Sequence, residues 1–222
     1  MSFYCQFIKP GQVVFDIGAN RGAKTAQFLD CNPILVVAVE PQIEFIKKIQ
    51  SMFQHDERVR TENCAIGAEE GVSTLYVSPQ ADTIATIEPK WMLNGRFSKY
   101  GWSSHSYPVP THTLDYLFSI YGMPCFMKID AEGSDAKIIK TMIVPVQSLC
   151  FEFVAEFDTD TYSAINHLRS IGNYEFNFTR GDHEHFDSVW YTGEEFIDLS
   201  FYNISKVDCW GMIWARLDNG KE

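Results

Sequence analysis

Over its first two-thirds this chain alternates apolar, strand-like runs with segments of helical period, and that alternation limits the folds open to it. "VVFDIG" (13–18) gives way to the helical "GAKTAQFLD" (22–30), which Asn32-Pro33 terminates. "LVVAVE" (35–40) precedes "QIEFIKKIQSMF" (42–53), where Ile43, Ile46, Ile49 and Phe53 recur at helical spacing. "VRTENCAIG" (59–67) and "VSTLYVS" (72–78) are strand-like, the second in period two. "CFMKIDAEG" (125–133) leads into "SDAKIIKTM" (134–142), and "SLCFEFVAEF" (148–157) into "TYSAINHLRSIG" (161–172), which closes on Gly172 as a helix C-terminus should. Continuous apolar strands between helices predict a parallel sheet covered on both faces, and right-handed crossovers make it a doubly wound α/β fold. The tail departs from this pattern. "YEFNFTR" (174–180) and "WGMIWARL" (210–217) have no regular helix between them and predict an antiparallel pair at the end of the sheet.

Two stretches break the alternation, at about 79–110 and 181–209. Both are long and irregular, and such segments in a compact domain are usually lids or binding loops. Ligands of an open α/β sheet bind beyond the carboxyl ends of its strands, an edge these inserts can cover. The first insert carries Trp91, Phe97, Tyr100, Trp102 and Tyr107. These rings either pack the insert onto the sheet or line an acceptor pocket. A length of 222 residues suits one domain spanning residues 1–222.

The net charge of −11, with eighteen scattered basic residues, argues against nucleic acid as a partner and for a neutral or small polar acceptor. No apolar run of about eighteen residues is present, so no membrane span is expected. The first residues, "MSFYCQFIKPGQ", do not read as a secretory signal. Cys64, Cys125 and Cys150 lie in apolar runs, where buried reduced thiols are expected, and a cytoplasmic location fits them.

The loop after the first strand narrows the ligand. The six residues from Gly18 read G-A-N-R-G-A, so Asn20 replaces the second glycine that lets a dinucleotide fingerprint approach a pyrophosphate. No Gly-Lys-Ser/Thr follows, which excludes a phosphate-binding P-loop. The remaining pattern, D-x-G-x-x-x-G from Asp16 through Gly18 to Gly22, can wrap a nucleoside bearing an amino-acid tail. Glu40 ends the second strand roughly 20 residues on, where a carboxylate can accept both ribose hydroxyls, and Pro41 follows it. Together these features favour S-adenosylmethionine over NAD. A nicotinamide-dependent oxidoreductase and a non-catalytic cofactor-binding module are the alternatives.

The motifs "FDIGANRG", "AVEP", "NCAIG", "THTLDYLF" and "FMKIDAEGSD" occur in that order, and over about residues 11–180 the chain resembles the FkbM-type methyltransferases. The resemblance implies a class I, Rossmann-like enzyme that uses S-adenosylmethionine, mostly to methylate hydroxyls of sugars and natural products. It implies a mostly parallel seven-stranded sheet with an antiparallel strand near the C-terminus. Carried over by position, Asp16, Gly18, Asn20 and Gly22 form the cofactor loop, Glu40 with Pro41 takes the ribose, and Cys64 and Ala65 lie beside adenine. Asp130 faces the methionine portion and the reacting centre. The chain has Ala131 where the family has valine, and Val154 where histidine is common in relatives.

Methyl transfer from a sulfonium to a hydroxyl is an in-line displacement, so alignment is the protein's main task and a general base adds to it. Asp130, Glu132 and His105 are the catalytic candidates, with Asp135, Glu156, His112, His183 and His185 behind them. Asp135 reads more simply as an acid in the first turn of a helix. Lys128, in an apolar strand, requires a carboxylate partner. In "DHEH" (182–185) the histidines at i and i+2 can share a strand face, but no third or fourth ligand is evident. The acidic "DAEGSD" loop (130–135) is no stronger, and no metal is expected. Neither the acceptor nor the oligomeric state is legible.

Overall fold

The computed structural model describes residues 2–94, 97–99, 102, 106–186, 188–201 and 210–218, the last three of 188–201 without side chains. Each strand–helix pair of the sequence pattern forms. β1 (Val13–Ile17) runs into α1 (Ala23–Leu29), and β2 (Leu35–Val39) into α2 (Ile43–Met52). β3 (Val59–Glu62), β4 (Ala65–Ile66), β5 (Gly71–Ser78) and β6 (Ala81–Thr86) follow, then α3 (Pro89–Leu93) and β7 (Ser106–His112). The remainder is α4 (Leu114–Tyr121), β8 (Phe126–Ile129), α5 (Asp135–Lys140), β9 (Ser148–Val154), α6 (Asp158–Ile171), β10 (Tyr174–Arg180), β11 (Tyr191–Thr192), α7 (Gly193–Glu195) and β12 (Trp210–Leu217). Among the described residues no helix is long and apolar enough to cross a membrane.

The main sheet has the order β11-β10-β12-β9-β8-β1-β2-β3. Without the two-residue β11 it is the predicted seven-stranded sheet. β3, β2, β1, β8 and β9 pair in parallel, and β12 is antiparallel to both β9 and β10. The predicted antiparallel pair is thus present at that end of the sheet, with only β11 beyond it, and β12 lies between β9 and β10.

Central strands buried on both faces explain the unbroken apolar runs. In β1, Phe15 and Ile17 pack with Leu117 of α4 and Ile139 of α5 on one face, while Val14 packs with Phe28 of α1 on the other. α2 buries Phe45, Ile46 and Ile49, whereas Ile43, which the helical spacing placed inward, is 38% exposed. Gly172 follows α6 as expected but for another reason. Its φ of −164° is extended, and an added Cβ would lie 2.8 Å from Leu217 and 3.0 Å from Tyr174. Close packing requires that glycine.

Residues 59–67 divide between two sheets. β3 extends the main sheet, whereas β4 joins a second one of order β4-β7-β5-β6. That sheet takes in both ends of the first insert, as β6 and the start of β7, which are therefore more regular than the sequence suggests. Trp91 is buried between Phe97 and Phe157, and Trp102 is buried with its Nε1 donating to the Phe97 carbonyl. For these two rings the packing alternative is correct. Tyr107 lies exposed on β7.

Cys64, Cys125 and Cys150 are free and buried, as predicted. Cys5, in a short 3-10 turn, forms a disulfide with Cys31 just after α1. No sequence spacing announced that pair.

Candidate active site

The site forms where β1, β2 and β8 end side by side. Gly18 follows β1 with φ of +76°, and a Cβ there would lie 1.8 Å from the carbonyl oxygen of Asp130. Only glycine lets the first loop approach the end of β8 so closely. Asp16 sits below the loop, fully buried, and its Oδ2 accepts from Thr25 Oγ1 at 2.6 Å. Burial raises its pKa, with Lys128 and Thr25 opposing the rise. Glu40 is also buried: one carboxylate oxygen accepts from the Asn20 N–H and the other from the Gln42 N–H, both at 2.9 Å. Despite those two bonds, burial pushes the Glu40 carboxyl up to about 7. Glu40 thus couples the glycine loop to the end of β2.

The loop after β8 carries most of the charge. Lys128 lies opposite Asp16 in the β1–β8 register, is buried, and donates from Nζ to Asp130 Oδ2 at 2.8 Å. Burial opposes its charge, but Asp130 and Asp16 outweigh burial and raise its pKa. The predicted carboxylate partner of Lys128 is Asp130.

Glu132 takes a left-handed φ of +48°, and its carbonyl accepts from Thr86 Oγ1 at 2.7 Å. Gly133 follows at φ of +94°, where a Cβ would meet the Trp91 ring at 2.7 Å. Asp135 opens α5 and accepts, at 3.3–3.4 Å, from the N–H groups of Ala131, Gly133 and Glu152. Its carboxyl is pushed up to about 7, first by burial and then by Asp130. Its observed contacts are with backbone at a helix start, as the simpler reading held. Burial also drives Glu132 and Glu152 well above the ordinary glutamate range, reinforced by Asp130 and, for Glu152, most of all by Glu132.

Two cavities share Gly18, Asp130 and Glu132 as walls. The larger, of about 630 Å³, extends past Asn20 to Lys24, Glu152, His183 and Trp210. The smaller, of about 40 Å³, lies between Pro41, Cys64 and Ala65 and the apolar Leu75, Ala85 and Ile87 of the second sheet. Of the candidate residues, Asn20 lines the larger cavity, Pro41, Cys64 and Ala65 the smaller, and Gly18, Asp130 and Glu132 both. Asp16, Gly22 and Glu40 line neither cavity; Glu40 holds the loop through the Asn20 N–H, and Asp16 is tied to Thr25 of α1.

His105 lies outside the described residues. His112 pairs with Glu70 at 2.6 Å and stacks on Tyr116, away from both cavities. Glu156 is exposed and lines neither cavity. His183 reaches the larger cavity, and His185 stacks on it with ring centroids 5.0 Å apart. Sequence reasoning missed Glu152, Trp210 and Tyr4 as cavity walls. Glu152 carried a signal, a charge inside an apolar strand.

This strand order, with one reversed strand near the C-terminus, defines the class I methyltransferase fold. Among solved structures, the methyltransferase FkbM from Methylobacillus flagellatus KT is similar at a TM-score of 0.57 and 15% identity over 94% of this chain. The match covers 44% of that protein, so this chain spans less than half of its length. A precorrin-6y C5,15-methyltransferase from Geobacter metallireducens is similar at a TM-score of 0.50 and 11% identity, over 97% of this chain and 85% of that one. An rRNA methylase from Streptococcus thermophilus gives 0.46 at 10% identity, over 97% and 92% of the two chains. No curated protein sequence matches significantly. The profile of the methyltransferase FkbM domain matches residues 16–185, and the chain belongs to that family.

Proposed function

We propose that residues 1–222 act as one S-adenosylmethionine-dependent O-methyltransferase domain whose acceptor is a hydroxyl on a small molecule or glycan. The observation that carries this reading is the meeting of the Gly18 loop, the buried Glu40 and the Asp130–Glu132 loop at one edge of the sheet. When bound, the cofactor supplies an already activated methyl group. Glu40 receives the ribose hydroxyls on lone pairs that its two backbone bonds leave free. The carboxylates of Asp130 and Glu132 on the cavity wall orient the acceptor hydroxyl beside the methionine portion. The apolar cavity beside Cys64 and Ala65 suits a purine in chemistry but is smaller than one, so binding displaces the β5–β6 hairpin that roofs it. The 630 Å³ cavity, with Trp210 on its wall, accommodates the acceptor, since aromatic faces suit sugar rings and planar scaffolds.

The acidic surface supports a small or neutral acceptor over nucleic acid. A cytoplasmic location agrees with the free thiols, whereas Cys5–Cys31 persists only under oxidising conditions. Counting thiols on protein isolated from a reducing cell decides between them.

Titration calorimetry with S-adenosylhomocysteine tests the cofactor, and methyl transfer from labelled S-adenosylmethionine to panels of glycosides, phenols and RNA tests the acceptor. Absence of S-adenosylhomocysteine binding removes the proposal. Transfer to RNA alone corrects the acceptor.

A further inference from the structure

β8 and β9 are parallel neighbours with Ile129 opposite Phe151, so the loop leaving β8 comes to lie beside Glu152 of β9. Asp130, Glu132 and Glu152 each turn a carboxylate oxygen inward, and the three oxygens lie within 4.8 Å of one another. All three residues line the 630 Å³ cavity. Among the described residues, the trio makes one ion pair, from Lys128 to Asp130. Glu132 Oε2 and Glu152 Oε2 are closed off from solvent and have no hydrogen-bond partner. Neighbouring Asp135 cannot serve them, because it is an acceptor engaged by three backbone N–H groups. Lys24 on the opposite wall is paired with Glu184 at 3.1 Å. Two of the three clustered carboxyl groups thus each hold a buried, unpartnered oxygen, and positive charge is undersupplied here, a situation that requires compensation.

We propose that Asp130, Glu132 and Glu152 bind one divalent cation of the magnesium–manganese type. Three carboxylate oxygens form a hard, all-oxygen donor set, which suits these ions rather than zinc or copper. The set supplies about half of an octahedral shell, and the cavity leaves the other half to water or to an oxygen of the acceptor. Only the acceptor role rests on the methyltransferase reading; the cation site stands on the carboxylates themselves. The "DAEGSD" loop was insufficient in sequence because the third ligand comes from another strand.

The experiment titrates metal-free full-length protein with Mn²⁺ and follows the free-ion electron paramagnetic resonance signal. The same preparation is titrated with S-adenosylhomocysteine by calorimetry. The expected result is one saturable Mn²⁺ per chain, a higher melting temperature with Mn²⁺, and affinity at least about tenfold weaker in the Glu132→Gln/Glu152→Gln double variant. The melting shift of the wild type needs no variant and stands if the double variant fails to fold. Three results overturn the site: no saturable Mn²⁺ binding by wild type, unchanged affinity in a folded double variant, or displacement of Mn²⁺ by S-adenosylhomocysteine. The last assigns the carboxylates to the cofactor's ammonium. A protein that binds S-adenosylhomocysteine but takes up no saturable Mn²⁺ defeats the cation site alone, and one that takes up Mn²⁺ but binds no S-adenosylhomocysteine defeats the cofactor reading alone.

Discussion

Glu40 holds the glycine loop, and under the proposed function it also takes the ribose; pH separates the two. Burial raises the Glu40 carboxyl from an ordinary 4.5 to about 7. Between those values the folded chain keeps a proton that the unfolded chain has lost, so this group makes stability fall as pH rises across the window and level off above it. Cofactor binding should respond in the opposite sense, because the ribose hydroxyls donate to the anion. Affinity for S-adenosylhomocysteine should rise with pH up to about 7 and then hold constant. Glu40→Gln should flatten that profile and weaken binding by roughly 10–100-fold, as expected for a charged hydrogen bond worth about 1.5–3 kcal/mol. A wild-type profile as flat as the variant's would refute the ribose role. Gly18→Ala tests the other half of the loop. Its Cβ would collide with the Asp130 carbonyl oxygen at 1.8 Å in a backbone conformation with φ of +76°. Urea unfolding should show a loss of at least about 3 kcal/mol.

At the scale of elements, the β5–β6 hairpin has to yield under the proposed placement of adenine. It roofs a cavity of about 40 Å³, and Gln42 Nε2 fastens it by donating to the Asp82 carbonyl at 2.9 Å. Amide exchange over residues 75–87 should therefore change when S-adenosylhomocysteine binds, and an unchanged pattern would show that adenine lies elsewhere. The hairpin was also hard to read. β6, "ADTIAT", is a sheet edge of small and polar residues with no regular alternation, and α3 has five residues. By contrast the positions of Asp16, Glu40 and Asp130 stood out in the sequence, since each is an acidic residue within or directly after an apolar strand. Trp210 enters the site through strand order, a tertiary property that local pattern does not encode, and the same order turns the one local signal of Glu152, a charge in an apolar strand, into a cavity wall.

For the whole molecule, period and apolarity revealed the layering, while the second sheet and the Cys5–Cys31 link required the structure. That link joins cysteines 26 residues apart. Closing a loop of this size in the unfolded chain stabilises the fold by about 3 kcal/mol, so reductant should lower the melting temperature by roughly 6–12 °C. A melting curve indifferent to reductant would show that the pair is open in solution. β12 raises a separate matter of timing. Residues 210–217 complete the sheet by sliding between two strands made earlier, β9 and β10. Until they leave the ribosome, β10 has only the two-residue β11 beside it, and β9 has β8 alone. A nascent chain therefore presents two raw edges, each able to recruit a neighbouring polypeptide. The interval before the last strand arrives is when chaperone protection matters most.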